Sequence, residues 1–234
     1  MAAIITMSKA PVPGKTKTRL CPPLSPTDAA DLYAALLGDT LDLITSLTEI
    51  TPVVAVTPPE GIHYFHTLPY SNLHVWPVDG DDIGVCLEGA LNKALASGHN
   101  FAIAINSDGP TLPAKYLSEA IQYLENGVDV VFGPNFDGGF YLIGLSAPHP
   151  RLLLNGDETL PNIAWSTEDV LGQILTRADS LGLRTQLLPA HADVDLISDL
   201  ERLAAELDTL PAEFCRHTRE WMAHAFVPVE EELL

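Results

Sequence analysis

The chain has 234 residues, which is enough for one large α/β domain, and 47% of them are hydrophobic, which supplies a full core. Its formal net charge of −19 at pH 7 argues against nucleic acid and anionic membranes as partners. The cysteines Cys21, Cys86 and Cys215 have no metal-binding spacing, so we expect free thiols in a reducing compartment. With no apolar run of membrane-spanning length and no signal-peptide pattern, the sequence predicts a cytoplasmic protein.

Short apolar runs alternate along the chain with longer stretches in which hydrophobic residues recur at helical spacing. The predicted strands cover residues 2–7, 52–56, 73–77, 101–105, 128–132, 139–145 and 185–188. The predicted helices run from Thr27 or Asp28 as N-cap to Leu47, over 83–97 and 114–125, from Ser166 or Thr167 as N-cap to Leu181, and over 198–207 and 212–225. Residues 62–70 suit a short helix or a turn, and residues 148–164 suit a loop.

Strands that alternate with helices predict an α/β fold with a mixed, mostly parallel central sheet flanked by helices. The connection 133–138 is short enough for a hairpin, which makes the sheet mixed. No linker divides the chain, so we expect one domain over 1–210, followed by a C-terminal helix and acidic tail over 211–234. That last helix could pack on its own core or on a second copy, which leaves a homodimer open.

A basic loop follows the first predicted strand. Lys9, Lys15, Lys17 and Arg19 are four of the twelve lysines and arginines in the chain, and the first acidic residue is Asp28. In an extended segment alternate side chains share a face, so three of these cations could meet a diphosphate or triphosphate together. The alternative is a solvated basic surface loop. The position after a strand favours the phosphate site, because open α/β sheets bind ligands at the carboxyl ends of their strands.

Three aspartates are candidates for a metal site. Asp108 directly follows the fourth predicted strand, and Asp193 and Asp195 would point the same way if their segment is extended. Converging carboxylates repel each other unless a cation lies between them, and oxygen-only ligands select hard cations such as Mg²⁺ or Mn²⁺. The alternatives are a turn aspartate at 108 and a helix cap at Asp195 or Ser198.

Two further motifs could contact a second ligand. Asp137, Gly138 and Gly139 lie between two strands, where glycines permit positive φ and a close approach of the backbone. Trp165 and Ser166 offer an aromatic face and a hydroxyl at the start of a predicted helix. The alternatives are a plain glycine hairpin and a plain helix cap beside a core tryptophan.

Taken in order, these motifs resemble the DUF2064 family, whose members are described as glycosyltransferase A-like or as radical SAM/selenodomain-associated transferase 1. The residues that carry the resemblance lie at 7–20, 107–110, 133–144, 165–167 and 193–195. The resemblance implies the GT-A fold of nucleotide-diphospho-sugar transferases. Phospholactate, phosphoenolpyruvate and molybdenum cofactor guanylyltransferases are more distant relatives with a similar layout.

The resemblance also implies roles for individual residues. Aspartates that match Asp108, Asp193 and Asp195 hold magnesium in the phospholactate or phosphoenolpyruvate guanylyltransferases, where the basic loop faces the nucleotide phosphates. A serine that matches Ser166 lies near the acceptor. The family usually reads Gly-Asp-Leu-Gly-Glu-Arg after the third strand, whereas here the segment is 81–86, with valine and cysteine in place of the usual Glu-Arg.

We therefore expect a transferase that uses Mg²⁺ or Mn²⁺ and a nucleotide donor. The first hypothesis is nucleotidyl transfer from a nucleoside triphosphate to a small phosphate- or hydroxyl-bearing acceptor, with Asp108, Lys17 and Arg19 as catalytic residues. The second is glycosyl transfer from a nucleotide sugar, with Asp137 as the acceptor base. The third, prompted by the altered segment 81–86, is a non-catalytic nucleotide-binding relative.

Overall fold

The structure, a computed structural model, describes residues 1–225; the predicted acidic tail at 230–232 lies outside them. Its strands are β1 (Ala2–Ser8), β2 (Ile50–Val56), β3 (His74–Pro77), β4 (Phe101–Ile105), β5 (Val130–Pro134), β6 (Phe140–Leu145) and β7 (Thr185–Leu187). Its helices are α1 (Pro26–Ser46), α2 (Ile62–His66), α3 (Ile83–Ala96), α4 (Ala114–Glu125), α5 (Pro150–Leu153), α6 (Val170–Ser180), α7 (Ile197–Thr209) and α8 (Arg216–Ala225).

The seven described strands form one sheet in the order β3-β2-β1-β4-β6-β5-β7. Two of the six strand pairings are antiparallel, because β6 runs antiparallel to both of its neighbours, β4 and β5. The remaining pairings, such as those of β1 with β2 and with β4, are parallel. The mixed, mostly parallel sheet predicted from the sequence is confirmed, and its parallel strands bring the segments after β1 and β4 to one edge.

The central strands are buried on both faces. Ala3 and Ile5 of β1 pack under α3, α5 and α6, whereas the intervening Ile4 packs under α1, α2 and α4. This alternation follows from the two-residue period of a strand. It explains why β1 and β4 read as continuous apolar runs with no polar face.

A third apolar cluster lies beside the sheet. It joins α1, α7 and the residue Cys215 to Leu20 of a 3-10 turn over Thr18–Leu20 and to Val194. The side chains of Leu20 and Val194 are almost completely buried, at 0% and 1% exposure. These two anchors fix the polar residues next to them in sequence, which are the basic loop and the aspartates at 193 and 195.

Three helix starts differ clearly from the predictions, and one of them is that of α8, which begins at Arg216 and not at residue 212. Helix α1 is capped by Ser25, whose hydroxyl accepts the N–H of Asp28 while the Asp28 carboxylate accepts the N–H of Ser25, so Asp28 lies at the third helical position. Helix α6 begins at Val170, after Asp169, and not after Ser166 or Thr167. Ser166 has a φ of 64°, a left-handed backbone that cannot lead directly into the helix.

The basic loop is not extended, so the predicted alternation of its side chains is wrong. The Thr16 hydroxyl bonds both the N–H and the carbonyl of Val12, at 2.8 and 2.9 Å, which folds the loop back on itself. Lys17 then takes a left-handed φ of 49° and begins the 3-10 turn. The segment 148–164 also contains the short helix α5 where we expected only a loop. The described chain contains no helix with the length and hydrophobicity needed to cross a bilayer.

Candidate active site

Two adjoining cavities, each of about 520 Å³, open at the edge of the sheet where β1 and β4 end. The first, called here the basic cavity, is lined by Lys9, Lys15, Lys17, Arg19 and Asp108 among others. Each volume suits a small-molecule ligand. The basic loop and the first predicted metal ligand therefore lie in the same cavity.

The second, called here the acidic cavity, is lined by Asp137, Glu168 and Asp193 and by an apolar wall that includes Trp165. The boundary between the cavities is shared by Arg19 and Asp195, which line both. The two cavities thus form one cleft with a cationic half and a carboxylate-rich half.

Lys17 is the centre of the basic cavity. Its Nζ lies 2.6 Å from Asp108 Oδ2 and 2.7 Å from Asp195 Oδ1, and its side chain is only 7% exposed. Burial opposes the charge, but the two carboxylates outweigh it and raise the pKa of the ammonium above its ordinary value. One cation thus joins two aspartates from distant parts of the chain.

Asp195 is held by cations from two sides. Arg19 Nη1 lies 3.6 Å from its Oδ2, in addition to the contact with Lys17. Burial works against the carboxylate, but Lys17 outweighs it and holds the pKa of Asp195 below its ordinary value. Helix α7 has Leu196 at its N-cap position. Asp199, at the third helical position, accepts the N–H groups of Asp195 and Leu196 through its Oδ2. The helix-cap interpretation of Asp195 and Ser198 is therefore wrong. Asp195 lines the cleft and caps no helix.

Asp193 faces the acidic cavity and is held by two amides. Asn106 Nδ2 and Asn135 Nδ2 donate to its Oδ2, at 3.1 and 2.8 Å. Burial, followed by the negative charges of Asp108 and Asp195, raises the pKa of Asp193 to about 7. The backbone also fixes the segment, since the N–H of Val194 donates to the carbonyl of Asp108 at 3.1 Å.

The asparagines were not among the predicted site residues. Asn106 follows β4 and Asn135 follows β5, so both lie at strand ends, the position that singled out Asp108. A search of the sequence for every polar residue directly after an apolar run would have found them.

The base of the basic cavity is a hydrogen-bonded chain. The N–H of Lys9 donates to the Tyr33 hydroxyl at 3.2 Å, and that hydroxyl lies 2.9 Å from Ser107 Oγ. The pKa of Tyr33 is raised by burial, so its hydroxyl stays protonated. This chain ties the start of the basic loop, through α1, to the loop that bears Asp108.

Glycines permit the close contacts that shape the acidic cavity. Gly138 has a φ of 87°, and a Cβ atom there would collide with the carbonyl of Glu168. A Cβ atom on Gly84 would likewise collide with the indole ring of Trp165. The N–H of Gly139 donates to Asp137 Oδ1 at 3.0 Å. The glycine hairpin considered as an alternative therefore exists and lines the cavity as well.

Val85 and Cys86, which replace the usual Glu-Arg, line neither cavity. Val85 is 38% exposed, and Cys86 is buried with its Sγ 3.8 Å from both the Gly80 carbonyl and the Thr57 hydroxyl.

Among the described residues, the group of carboxylate and imidazole atoms that lie within 4.8 Å of one another is Asp39, Asp42 and His217. The aspartates at 108, 193 and 195 do not form such a group, although Lys17 joins two of them. Asp39 accepts the N–H groups of His217 and Thr218 at the start of α8, at 3.0 and 2.9 Å. Asp42 accepts the Tyr70 hydroxyl at 2.7 Å. This group therefore docks α8 on α1, away from the cleft.

The family of the chain follows from its sequence profile. Residues 40–167 match the family described as "Uncharacterized protein conserved in bacteria (DUF2064)". The chain belongs to this family, as its motifs predicted. The match spans the motif of Asp108 and those of Gly138 and Trp165, whereas the basic loop and the aspartates at 193 and 195 lie outside it. None of the curated proteins compared matches the chain significantly.

Solved structures share the fold over nearly the whole chain. A proposed nucleotide-diphospho-sugar transferase from Desulfovibrio desulfuricans G20 is 26% identical, with 95% of each chain covered and a TM-score of 0.83. A cytidylyltransferase from Leptospira borgpetersenii is 14% identical, with 95% of this chain and 93% of that chain covered and a TM-score of 0.59. A CMP:2-keto-3-deoxy-manno-octonic acid synthetase complexed with CTP is 14% identical, with 88% and 98% covered and a TM-score of 0.53. The predicted GT-A-like fold is confirmed.

Proposed function

We propose that this protein is a metal-dependent transferase that moves a nucleotidyl group from a nucleoside triphosphate to a small acceptor. The observation that carries the proposal is the basic cavity, where Lys9, Lys15, Lys17 and Arg19 surround the ends of β1 and β4 beside Asp108. A triphosphate has more negative charge than a nucleotide sugar, so a four-cation cavity favours it. The fold supports a nucleotide donor in general, since its solved relatives include transferases of nucleotides and of nucleotide sugars.

The chemistry of the donor set suits a hard divalent cation, although the three carboxylates are not gathered around one point in this structure. Asp108 and Asp195 offer carboxylate oxygens to a single cationic position, now bridged by the Lys17 ammonium, and Asp193 adds a third carboxylate to the same wall of the cleft. Oxygen-only ligands of this kind suit Mg²⁺ or Mn²⁺. When bound by these aspartates, the ion would supply positive charge to phosphoryl oxygens.

The residues of the chain would position the donor and the acceptor and would stabilise negative charge on the phosphates. They would form no covalent intermediate. Lys9, Lys15 and Arg19 would bind the β- and γ-phosphates, and Lys17 would neutralise charge beside Asp108. The acceptor oxygen would form a bond to the α-phosphorus as the bond from that phosphorus to the bridging oxygen breaks, so pyrophosphate leaves. Asp137 would take the proton of an acceptor hydroxyl.

Glycosyl transfer is the second candidate, favoured by the resemblance to the proposed nucleotide-diphospho-sugar transferase. The same cations would then hold the diphosphate of the leaving group, and Asp137 would serve as the acceptor base. In the third hypothesis the chain would bind a nucleotide without turnover. The altered residues Val85 and Cys86 lie outside both cavities, which weakens the reason for that hypothesis.

Ligand-induced thermal stabilisation tests the donor class. Nucleoside triphosphates and nucleotide sugars would each be added with Mg²⁺, Mn²⁺ or EDTA, because a ligand that binds only the folded state raises the melting temperature. We expect a metal-dependent shift with a triphosphate that is lost in Asp108→Asn and kept in Asp208→Asn, a matched change on the exposed side of α7. A shift with nucleotide sugars alone would favour glycosyl transfer, and no shift with any compound would refute both.

The released product separates the reactions once a donor binds. Pyrophosphate from a triphosphate identifies nucleotidyl transfer, and a nucleoside diphosphate from a nucleotide sugar identifies glycosyl transfer. Tight metal-dependent binding without either product, across a broad set of acceptors, would support the non-catalytic hypothesis instead.

A further inference from the structure

The two halves of the cleft differ sharply in charge. Among the residues that line the acidic cavity, the single lysine or arginine is Arg19, which is shared with the basic cavity and lies 3.6 Å from Asp195. Four carboxylates line the same space: Asp137, Glu168, Asp193 and Asp195. Negative charge therefore exceeds positive charge where the acceptor would bind.

Donor binding does not remove this excess. A divalent ion and Lys17 would offset the charges of Asp193 and Asp195. Asp137 belongs to the hairpin between β5 and β6 and Glu168 to the loop before α6, and the ion pairs of the described residues include neither of them. An acceptor that brought a phosphate or carboxylate close to them would meet like-charge repulsion.

The remaining wall is apolar and aromatic. The indole of Trp165 is pressed against the backbone of Gly84, which fixes its orientation beside the cavity. Phe140 is held edge-to-face against Phe132, with ring centroids 5.9 Å apart, and Ile143 lies beside it in the lining. Such a wall favours a ligand with an apolar body, and an indole face attracts cations.

Two residues that line the acidic cavity have a buried polar atom with no hydrogen-bond partner among the described residues, Asn135 at Oδ1 and Trp165 at Nε1. Asn135 lines the cavity at 8% exposure, and its Oδ1 has no hydrogen-bond partner within the part of the chain that the structure describes. Its Nδ2 already donates to Asp193, so Oδ1 is the atom of this amide that remains to accept an N–H or O–H group.

We propose, resting on the proposed function, that the acceptor is an alcohol whose apolar body bears an ammonium group, and not a phosphate or a carboxylate. The ammonium would lie between Trp165 and the carboxylate of Glu168, and the hydroxyl would face the α-phosphate of the donor beside Asp137, whose negative charge also favours the cation. This narrows the phosphate- or hydroxyl-bearing acceptor expected from the sequence to one charge class.

Three probes of similar size test this charge class: meta-(aminomethyl)benzyl alcohol, meta-(hydroxymethyl)benzyl alcohol and meta-(hydroxymethyl)benzoate. Their binding would be measured by calorimetry on the protein loaded with metal and with the nucleotide found by thermal shift. We expect the ammonium probe to bind about tenfold or more tightly than the carboxylate probe, with the diol between them. Equal or tighter binding of the carboxylate, or no binding of any probe, would overturn the proposal.

A charge-removal pair gives the control. Asp137→Asn combined with Glu168→Gln should abolish most of the preference for the ammonium probe, whereas Glu125→Gln combined with Asp208→Asn removes the same charge far from the cleft and should preserve it. If no nucleotide binds, the proposed function fails, and the charge order is then measured on the protein without a donor. If nucleotides bind and the charge order is reversed, only the acceptor assignment fails.

Discussion

The two cavities are built in different ways. The basic cavity takes its cations from one short segment, 9–19, which a turn and a buried leucine hold at the end of β1. The acidic cavity is assembled from the start of α3, the hairpin between β5 and β6, the loop before α6 and the segment at Asp193. The cations of the basic cavity thus come from one loop, whereas the side chains of the acidic cavity come from four segments whose mutual contacts must all be kept.

The largest effect should come from the shared ammonium of the basic cavity. In Lys17→Met the carboxylates of Asp108 and Asp195 lose the cation that joins them, and the donor phosphates lose a buried positive charge. We expect transfer to fall by about 100- to 1,000-fold, the usual loss for one preorganised electrostatic contact. Steady-state product formation would measure it, with Lys115→Met, an exposed change on α4, as the control. Activity within twofold of the parent would exclude a catalytic role for this lysine.

The junction of the acidic cavity should be the more fragile in stability. In Gly138→Ala the new methyl group would collide with the Glu168 carbonyl at a φ of 87°, so the loop before α6 must move. We expect a loss of about 2–4 kcal/mol in the free energy of unfolding. Urea unfolding would measure it.

Gly156→Ala is the matched control for that change, because Gly156 also has a positive φ, 104°, but has no atom within 4 Å of the new Cβ. It should cost about 1 kcal/mol, from backbone strain alone. Equal losses for the two variants would contradict the tight contact at Gly138.

A substitution of Asn135 tests whether the hydrogen bonds to Asp193 in the acidic cavity affect metal binding. In Asn135→Ala the Asp193 carboxylate loses one of its two amide donors, and the remaining donor is Asn106. We expect about tenfold weaker metal binding, since a hydrogen bond to a charged group contributes about 1.5–3 kcal/mol. Metal titration monitored by thermal shift would measure it, with Asn126→Ala at the end of α4 as the comparison. Unchanged metal affinity would mean that the hydrogen bond from Asn135 does not support metal binding by Asp193.

The smallest effect concerns the support beneath the basic cavity. The buried Cys215 thiol donates to the Pro110 carbonyl, at 3.2 Å, in the loop that bears Asp108. Burial raises the pKa of this thiol to about 12. The folded chain therefore keeps a proton that the unfolded chain loses above its ordinary pKa, so stability should fall as the pH rises from 8 to 10, by about 1 kcal/mol.

Denaturant unfolding at pH 8 and pH 10 would measure this fall in the free energy of unfolding. Cys215→Ser should remove the part of the fall that comes from the thiol and keep the part that comes from other titrating groups. A decline of equal size in the variant and the parent would show that the thiol does not contribute.

The sequence correctly predicted those strands and helices whose bounds depend only on residues close to one another in the chain. Strand β4 and helix α4 have the predicted bounds, because an unbroken apolar run and a clear amphipathic period define them. The start of α1 was misplaced because Thr27 and Asp28 are also good caps, and the reciprocal bonds of Ser25 decide among them.

The site was predictable in its residue types and not in its geometry. The sequence identified the cations of the basic loop, but their arrangement depends on the left-handed Lys17 and on the contacts of Thr16 with Val12. The contact of Trp165 with Gly84 joins residues far apart in sequence, so no local pattern could reveal it.

The ion pair between Lys17 and Asp195 has a consequence for biosynthesis. The two residues are 178 positions apart, so the cleft is completed only when the late segment after β7 returns to a loop made at the beginning. During synthesis the early strands emerge before the segment that contains Asp195. The loop closed by the contact of Lys17 with Asp195 is long, and contacts between residues so far apart form slowly. A chain cut short before this segment could form part of the sheet but would lack the aspartate that completes the cleft.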